Sequence, residues 1–154
     1  MTVTTESVKI HDIVANDELH PRVKLDDATI DDYARLMQEG AELPPIVVFQ
    51  EGAKYYLSDG RHRLEAARRI GRQMIVAEVR KGSQRDALLH AVGANATHGL
   101  RRTSADKRKA VKLLLDDPEW RQWAVNQIAK ACNVSWDLVQ ATSRPEGSSS
   151  GTGR

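Results

Sequence analysis

Ser58-Asp59-Gly60-Arg61-His62-Arg63-Leu64-Glu65-Ala66-Ala67 is the stretch on which the reading of the fold turns. Ahead of it, Lys54-Tyr55-Tyr56-Leu57 is a short aromatic and apolar run with the character of a strand. Behind it, the Ala- and Arg-rich run 64–70 predicts a helix that stops at Gly71. A strand, a tight Asp59-Gly60 turn and cationic residues over the first helical turn together predict an anion site. The unpaired N–H groups and the dipole of a helix start attract negative charge. Arg61, His62 and Arg63 at one spot would repel one another without an anion between them, and a phosphate is the expected occupant. On this reading Gly60 allows close backbone approach, Arg61 and Arg63 hold phosphate charge, and His62 donates a hydrogen bond or acts as an acid. Asp59 either fixes the turn or serves as a base.

The flanking sequence is punctuated in the same style. Residues 8–14 predict a short strand anchored by Ile10, Ile13 and Val14. Asp26 or Asp27 caps a helix whose buried face is Ile30, Tyr33, Ala34 and Met37, and Gly40 ends it. Pro44-Pro45 keeps the chain extended into a strand over 46–49, and Glu51-Gly52 turns it back into 55–57. After Arg80-Lys81-Gly82-Ser83 a helix is expected over 84–92, and the Gly- and Ala-rich run 93–99 marks a domain boundary.

In this order the blocks resemble the N-terminal domain of the ParB/sulfiredoxin superfamily across 19–80. His20-Pro21-Arg22 is similar to the family's entry segment, and 30–40 to its first helix. Leu43-Pro44-Pro45-Ile46-Val47-Val48 matches its Pro-Ile strand, 55–67 its phosphate box and 71–79 its closing strand. The resemblance implies an α/β domain over 1–92 that binds a nucleoside triphosphate, CTP or ATP. Gly40, Pro45, Ile46, Gly60, Arg61, His62, Arg63 and Asn95 would surround it. Sulfiredoxins carry a cysteine in the box. Here that slot falls at or near Arg61, and the single cysteine, Cys132, lies far downstream, which argues against sulfinic-acid reduction. Ala94 stands where the family places a Glu beside the Asn, with His98 or Arg101 in place of a downstream Arg. Mg²⁺ requires oxygen ligands, so hydrolysis of CTP or ATP is expected to be weak or absent, and no metal ligands are assigned. Relatives resembling Asp-Gly-x-His-Arg include nucleases and phosphotransferases acting on free serine; on that branch Asp59 and His62 are catalytic.

Charge is unevenly spread. Residues 1–60 carry 5 Lys/Arg against 12 Asp/Glu, whereas residues 61–112 carry 14 against 4. The basic central block is an electrostatic footprint for phosphates. Its plainer reading has Arg68, Arg69, Arg72 and Arg85 on solvated faces, partly paired with the acidic first third. A single cysteine leaves no internal disulfide framework, and no apolar run approaches the ~20 residues of a membrane span.

From Thr103 the pattern is helical. Thr103 or Ser104 caps a helix with Asp106 in its first turn and Ala110, Val111, Leu114 and Leu115 as its buried stripe. Asp116-Asp117-Pro118 ends it, and Trp120 and Trp123 then share a face as core anchors. Gln127 to Cys132, a turn at Asn133-Val134 and a Ser135-capped second helix have the spacing of a helix-turn-helix, with Ala129 small where the helices cross. Ser135, Trp136, Gln140 and Thr142 would read bases, and Asp137 would accept from a cytosine amino group. Arg101, Arg102, Lys107, Arg108, Lys109, Lys130 and Arg144 would contact phosphates. ParB proteins are built in this order, so the resemblance implies an all-α helix-turn-helix domain over 100–144, followed by a disordered tail over 145–154. The expected protein binds double-stranded DNA in plasmid, phage or chromosome partition or in transcription regulation. It would bind nucleotide, pair as a homodimer, and sit in the cytoplasm on nucleoid or plasmid, away from the membrane.

Overall fold

The computed structural model describes residues 3–16, 20–21, 24–94 and 101–143. Asp26 sits in extended backbone and its carboxylate accepts the N–H of Thr29, which starts α1 (Asp27–Gln38). Ile30 and Met37 are its buried residues. Gly40, at φ 86°, turns the chain into the Pro44-Pro45 segment and β3 (Ile46–Glu51). A turn at Gly52 returns it as β4 (Lys54–Asp59), antiparallel to β3. Gly60 then caps α2 (Arg61–Arg69), so the three basic residues form the first turn of that helix. β5 (Met74–Lys81) and α3 (Gln84–Val92) follow, α3 opening with a capping box between Ser83 and Asp86.

The strands form one mixed sheet in the order β1-β5-β3-β4-β2. β1 (Val3–Lys9) runs antiparallel to β5, and β2 (Ile13–Val14) parallel to β4. The strand expected over 8–14 is thus two strands, divided by a 3-10 turn at Ile10–Asp12, and most of β1 lies ahead of it. β1 is an edge strand in which Val8 alone is buried. Its pairing comes from the backbone, which leaves no apolar alternation in the sequence.

Alternation along β3 assigns the two faces. Ile46 and Val48 enter a core with Val8, Leu57, Ala77 and Val79 of the sheet, Ile30 and Met37 of α1, and Leu64, Ala66 and Ala67 of α2. Phe49 points the other way, and its ring lies 5.6 Å from that of His90 on α3. Between Val47 and Val48 the β3–β4 register shifts past Ser58. Ser58 is buried there and its hydroxyl pairs with His90 Nδ1.

A second core is helical. It gathers Val92 with Ala110, Val111 and Leu114 of α4 (Ser104–Leu115), Trp120, Ile128, Ala129 and Cys132 of α5 (Val125–Cys132), and Val139 of α6 (Trp136–Ser143). Thr103 caps α4 in a box with buried Asp106. Trp120 and Trp123 do anchor this core, their rings 6.4 Å apart. α3 serves both layers: it packs on β3 and β4 and sends Leu88, Leu89 and Val92 into the helical core.

The start of α3 is tied to the helical region by Arg85. Its guanidinium donates to Asp117 and Glu119 and lies 4.0 Å from the Trp120 ring centroid. The Arg85 hydrogen bond, helped by the Trp120 and Glu119 amides, lowers the Asp117 pKa from 3.8 to about 2. A carboxyl depressed in the folded state stabilises above its unfolded pKa and loses that contribution as pH falls through the folded value. Arg85→Gln should therefore be less stable than the wild type near neutrality, and the gap should close between pH 4 and 2. Urea unfolding across that window checks it; a gap independent of pH would deny the ion pair its role.

Candidate functional site

The first turn of α2 does not gather its three cations around one point. Arg61, His62 and Arg63 are 9, 7 and 4% exposed, and each reaches a different segment. Arg61 donates to the Ala15 carbonyl at 3.3 Å, after β2. His62 Nε2 accepts the Asp26 N–H at 3.0 Å, at the cap of α1. Arg63 donates to the carbonyls of both Pro44 and Pro45, the latter at 2.9 Å, and lies 3.7 Å from the Asp59 carboxylate. The repulsion that led to an anion is thus relieved by separation and by backbone oxygens. With Nε2 accepting from Asp26, that nitrogen carries no proton to donate in this arrangement. Asp59, at the end of β4, pairs with Arg63 and is half-buried.

The remaining residues of the expected nucleotide site divide. Gly40, Pro45 and Arg63 line one open cleft of about 590 Å³, together with Met37, Arg72 and Met74. Arg72 is exposed and donates to the Met37 carbonyl at 2.8 Å. Ile46 is buried in the sheet core against Gly60. Asn95 lies outside the described residues, as do His98 and the tail. Among the described residues no group of three or more His, Cys, Asp or Glu side chains is placed to hold a metal ion.

In the helical region α5, a turn at Asn133 and α6 follow one another as the spacing predicts. α5 ends at Asn133, which takes φ 55° and ψ 50°, the left-handed conformation the turn requires. The Ser135 hydroxyl accepts the Leu138 N–H at 3.1 Å and so caps α6. Trp136, the first residue of α6, is 48% exposed. Asp137 is exposed as well, and Gln140 is half-buried. The Thr142 hydroxyl is turned back onto the Leu138 carbonyl of its own helix at 2.7 Å. Arg101, Lys107 and Arg108 are exposed and Lys109 is half-buried, whereas Arg102 donates to the carbonyls of Val92, Cys132 and Asn133.

Much of the basic block is therefore engaged internally. Arg69 pairs with Asp27 and Asp31 of the acidic first third, but Arg85 turns to Asp117 and Glu119. Sequence reasoning missed the His62–Asp26 and Arg63–proline bonds because backbone groups supply the partners, and backbone groups leave no mark on composition.

The family model described as the ParB N-terminal domain matches residues 2–96. The chain belongs to that family. Its five-stranded mixed sheet with flanking helices is the ParB α/β fold, followed here by a helical region. The C-terminally truncated chromosome-partitioning protein ParB from Caulobacter crescentus complexed to the centromeric parS site aligns with a TM-score of 0.59 at 19% identity. The match covers 92% of this chain and 73% of that one. The same protein complexed with CTP-gamma-S aligns at 0.53 and 20% identity, covering 90% and 76%. In sequence the chain is 35% identical over 91 residues to a streptomycin biosynthesis operon possible regulatory protein of Streptomyces griseus, covering 58% of this chain and 25% of that protein. It is 32% identical over 104 residues to the transcriptional regulator NovG of Streptomyces niveus, covering 68% and 31%. The chain thus spans about a quarter to a third of the length of these two relatives. No helix among the described residues is long and apolar enough to cross a membrane.

Gly60 is the point on which the ParB box closes. It has φ 109°, and a Cβ built there would lie 2.5 Å from Ile46 Cγ2 and 3.2 Å from an Arg63 nitrogen. Gly60→Ala should cost about 2 kcal/mol or more, combining backbone strain with overpacking. Chemical denaturation measures this, and a variant as stable as the wild type would mean that α2 and β3 do not approach this closely.

Proposed function

We propose that the chain is the duplex-DNA-binding part of a transcriptional regulator, with α6 as the helix that enters the major groove. The observation that carries the reading is the α5–Asn133–α6 unit placed directly after a ParB domain. Ala129 is small and buried, Asn133 is left-handed, and α6 presents Trp136 and Asp137 to solvent. A transcriptional regulator and a possible regulatory protein are among its relatives, and a ParB complexed to parS shares the fold. α6 has no Lys or Arg of its own. Phosphate contacts then fall to exposed Arg101, Lys107, Arg108, Lys112 and Lys130.

The two groups should fail differently when mutated. Lys107→Ala with Arg108→Ala should weaken binding to all duplexes alike and reduce the slope of log affinity against log salt by about 2. Trp136→Ala should spare that slope and cost about 1–3 kcal/mol on a selected site, the scale of a lost base contact. Anisotropy titrations at several salt concentrations measure both. A wild-type chain with no salt-dependent affinity for any duplex would remove the reading.

A nucleotide is a second ligand, favoured by the open cleft. Its roughly 590 Å³ suit a nucleotide-sized molecule. Arg72 is exposed on its wall, and a ParB of this fold was crystallised with CTP-gamma-S. CTP should bind saturably without needing Mg²⁺, and Arg72→Gln should weaken it by about 1.5–3 kcal/mol. Calorimetric titration of CTP and ATP, each with and without Mg²⁺, decides this; equal affinity in Arg72→Gln would move the ligand out of the cleft.

A further inference from the structure

Arg101 and Arg102 stand side by side ahead of α4, where a pair of arginines suggests two phosphate contacts. The structure separates them. Arg101 is exposed, whereas Arg102 Nη1 donates to the carbonyls of Val92 at 3.0 Å and Cys132 at 3.1 Å, and Nη2 to that of Asn133 at 3.1 Å. Val92 is the last residue of α3, Cys132 the last of α5, and Asn133 the cap of α5. Carbonyls at a helix C-terminus lack intrahelical donors and lie at the negative end of the dipole. One guanidinium across two such ends satisfies both.

A second observation places the same two helix ends together. Gly93, the cap of α3, lies against the Ala131 carbonyl oxygen of α5 so closely that an added Cβ would overlap it. The approach needs glycine on one side and the arginine fork across the gap. Downstream, Asn133 leads through Val134 to Ser135, which caps α6. The Val134 N–H is itself bonded to the Ala129 carbonyl at 3.0 Å. Upstream, α3 is referred to the sheet through His90 with Ser58 and Phe49, and to the 117–120 segment through Arg85.

From this geometry, and resting on α6 as the DNA-reading helix, we propose that Arg102 is a positioning residue. It latches the α5–α6 turn to the end of α3, sets the direction of α6 relative to the ParB domain, and holds no phosphate. Lysine cannot replace it, because a single ammonium does not present the planar fork that spans three carbonyls.

The test uses the full chain with Arg102→Ala, Arg102→Lys and Gly93→Ala, the last altering no charge. A duplex selected by the wild type is titrated beside an unrelated duplex at several salt concentrations, and amide hydrogen exchange is followed at Val134. All three variants should lose discrimination between the duplexes by about tenfold, the scale of one lost base contact. They should keep the wild-type salt slope, and the Val134 amide should exchange faster in each. The proposal is overturned if Arg102→Ala weakens both duplexes alike, lowers the salt slope by about 1, and is rescued by Arg102→Lys. Should the wild type bind no duplex, the DNA reading fails by itself and exchange decides the latch. Unchanged Val134 exchange in Arg102→Ala and Gly93→Ala then overturns it.

Discussion

The first turn of α2 is the constraint on which the ParB domain depends. Three successive buried side chains stitch it to three separate places: Arg61 to Ala15 after β2, His62 to the cap of α1, and Arg63 to the proline segment before β3. Each bond goes to a backbone group outside the regular strands and helices. Gly60 makes this geometry accessible, since its positive φ and missing Cβ let α2 start directly against Ile46. A ligand at this box would meet a scaffold already ordered by internal hydrogen bonds.

Electrostatics then divides the cations by their partners. Those inside the ParB domain are largely committed: Arg63 to prolines, Arg69 to Asp27 and Asp31, Arg80 to Glu78, and Arg85 to Asp117 and Glu119. The helical region carries exposed cations as well, Arg101, Lys107, Arg108, Lys112 and Lys130. α6 itself offers an exposed Trp136 and Asp137 and carries no Lys or Arg. Exposed cations and the exposed Trp136 thus sit on different elements, which pack directly on one another.

α3 is the hinge of the architecture in a static sense. It lies across the sheet by way of Phe49, His90 and Ser58, and it supplies Val92 to the helical core. Its two ends are held by arginines from opposite directions of the chain, Arg85 on itself and Arg102 beyond the boundary run. A boundary drawn from composition at Gly93 falls at the glycine whose lack of a side chain lets α3 and α5 meet.

The sequence by itself determined the order of elements, because helix caps, glycine stops and proline-extended segments act locally. Asp26, Gly40, Pro44-Pro45, Thr103 and Asn133 each direct the chain within a few residues of where they stand. Family membership and the helix-turn-helix spacing were legible for the same reason. Only the tertiary structure decided what the arginines do. An arginine reaches across many residues of chain and accepts a phosphate, a carboxylate or a backbone carbonyl as partner, and the last of these is invisible in a string of side chains. Arg63 and Arg102 met carbonyls, Arg85 met carboxylates far downstream, and the edge strand β1 formed on backbone pairing with Val8 as its one buried side chain.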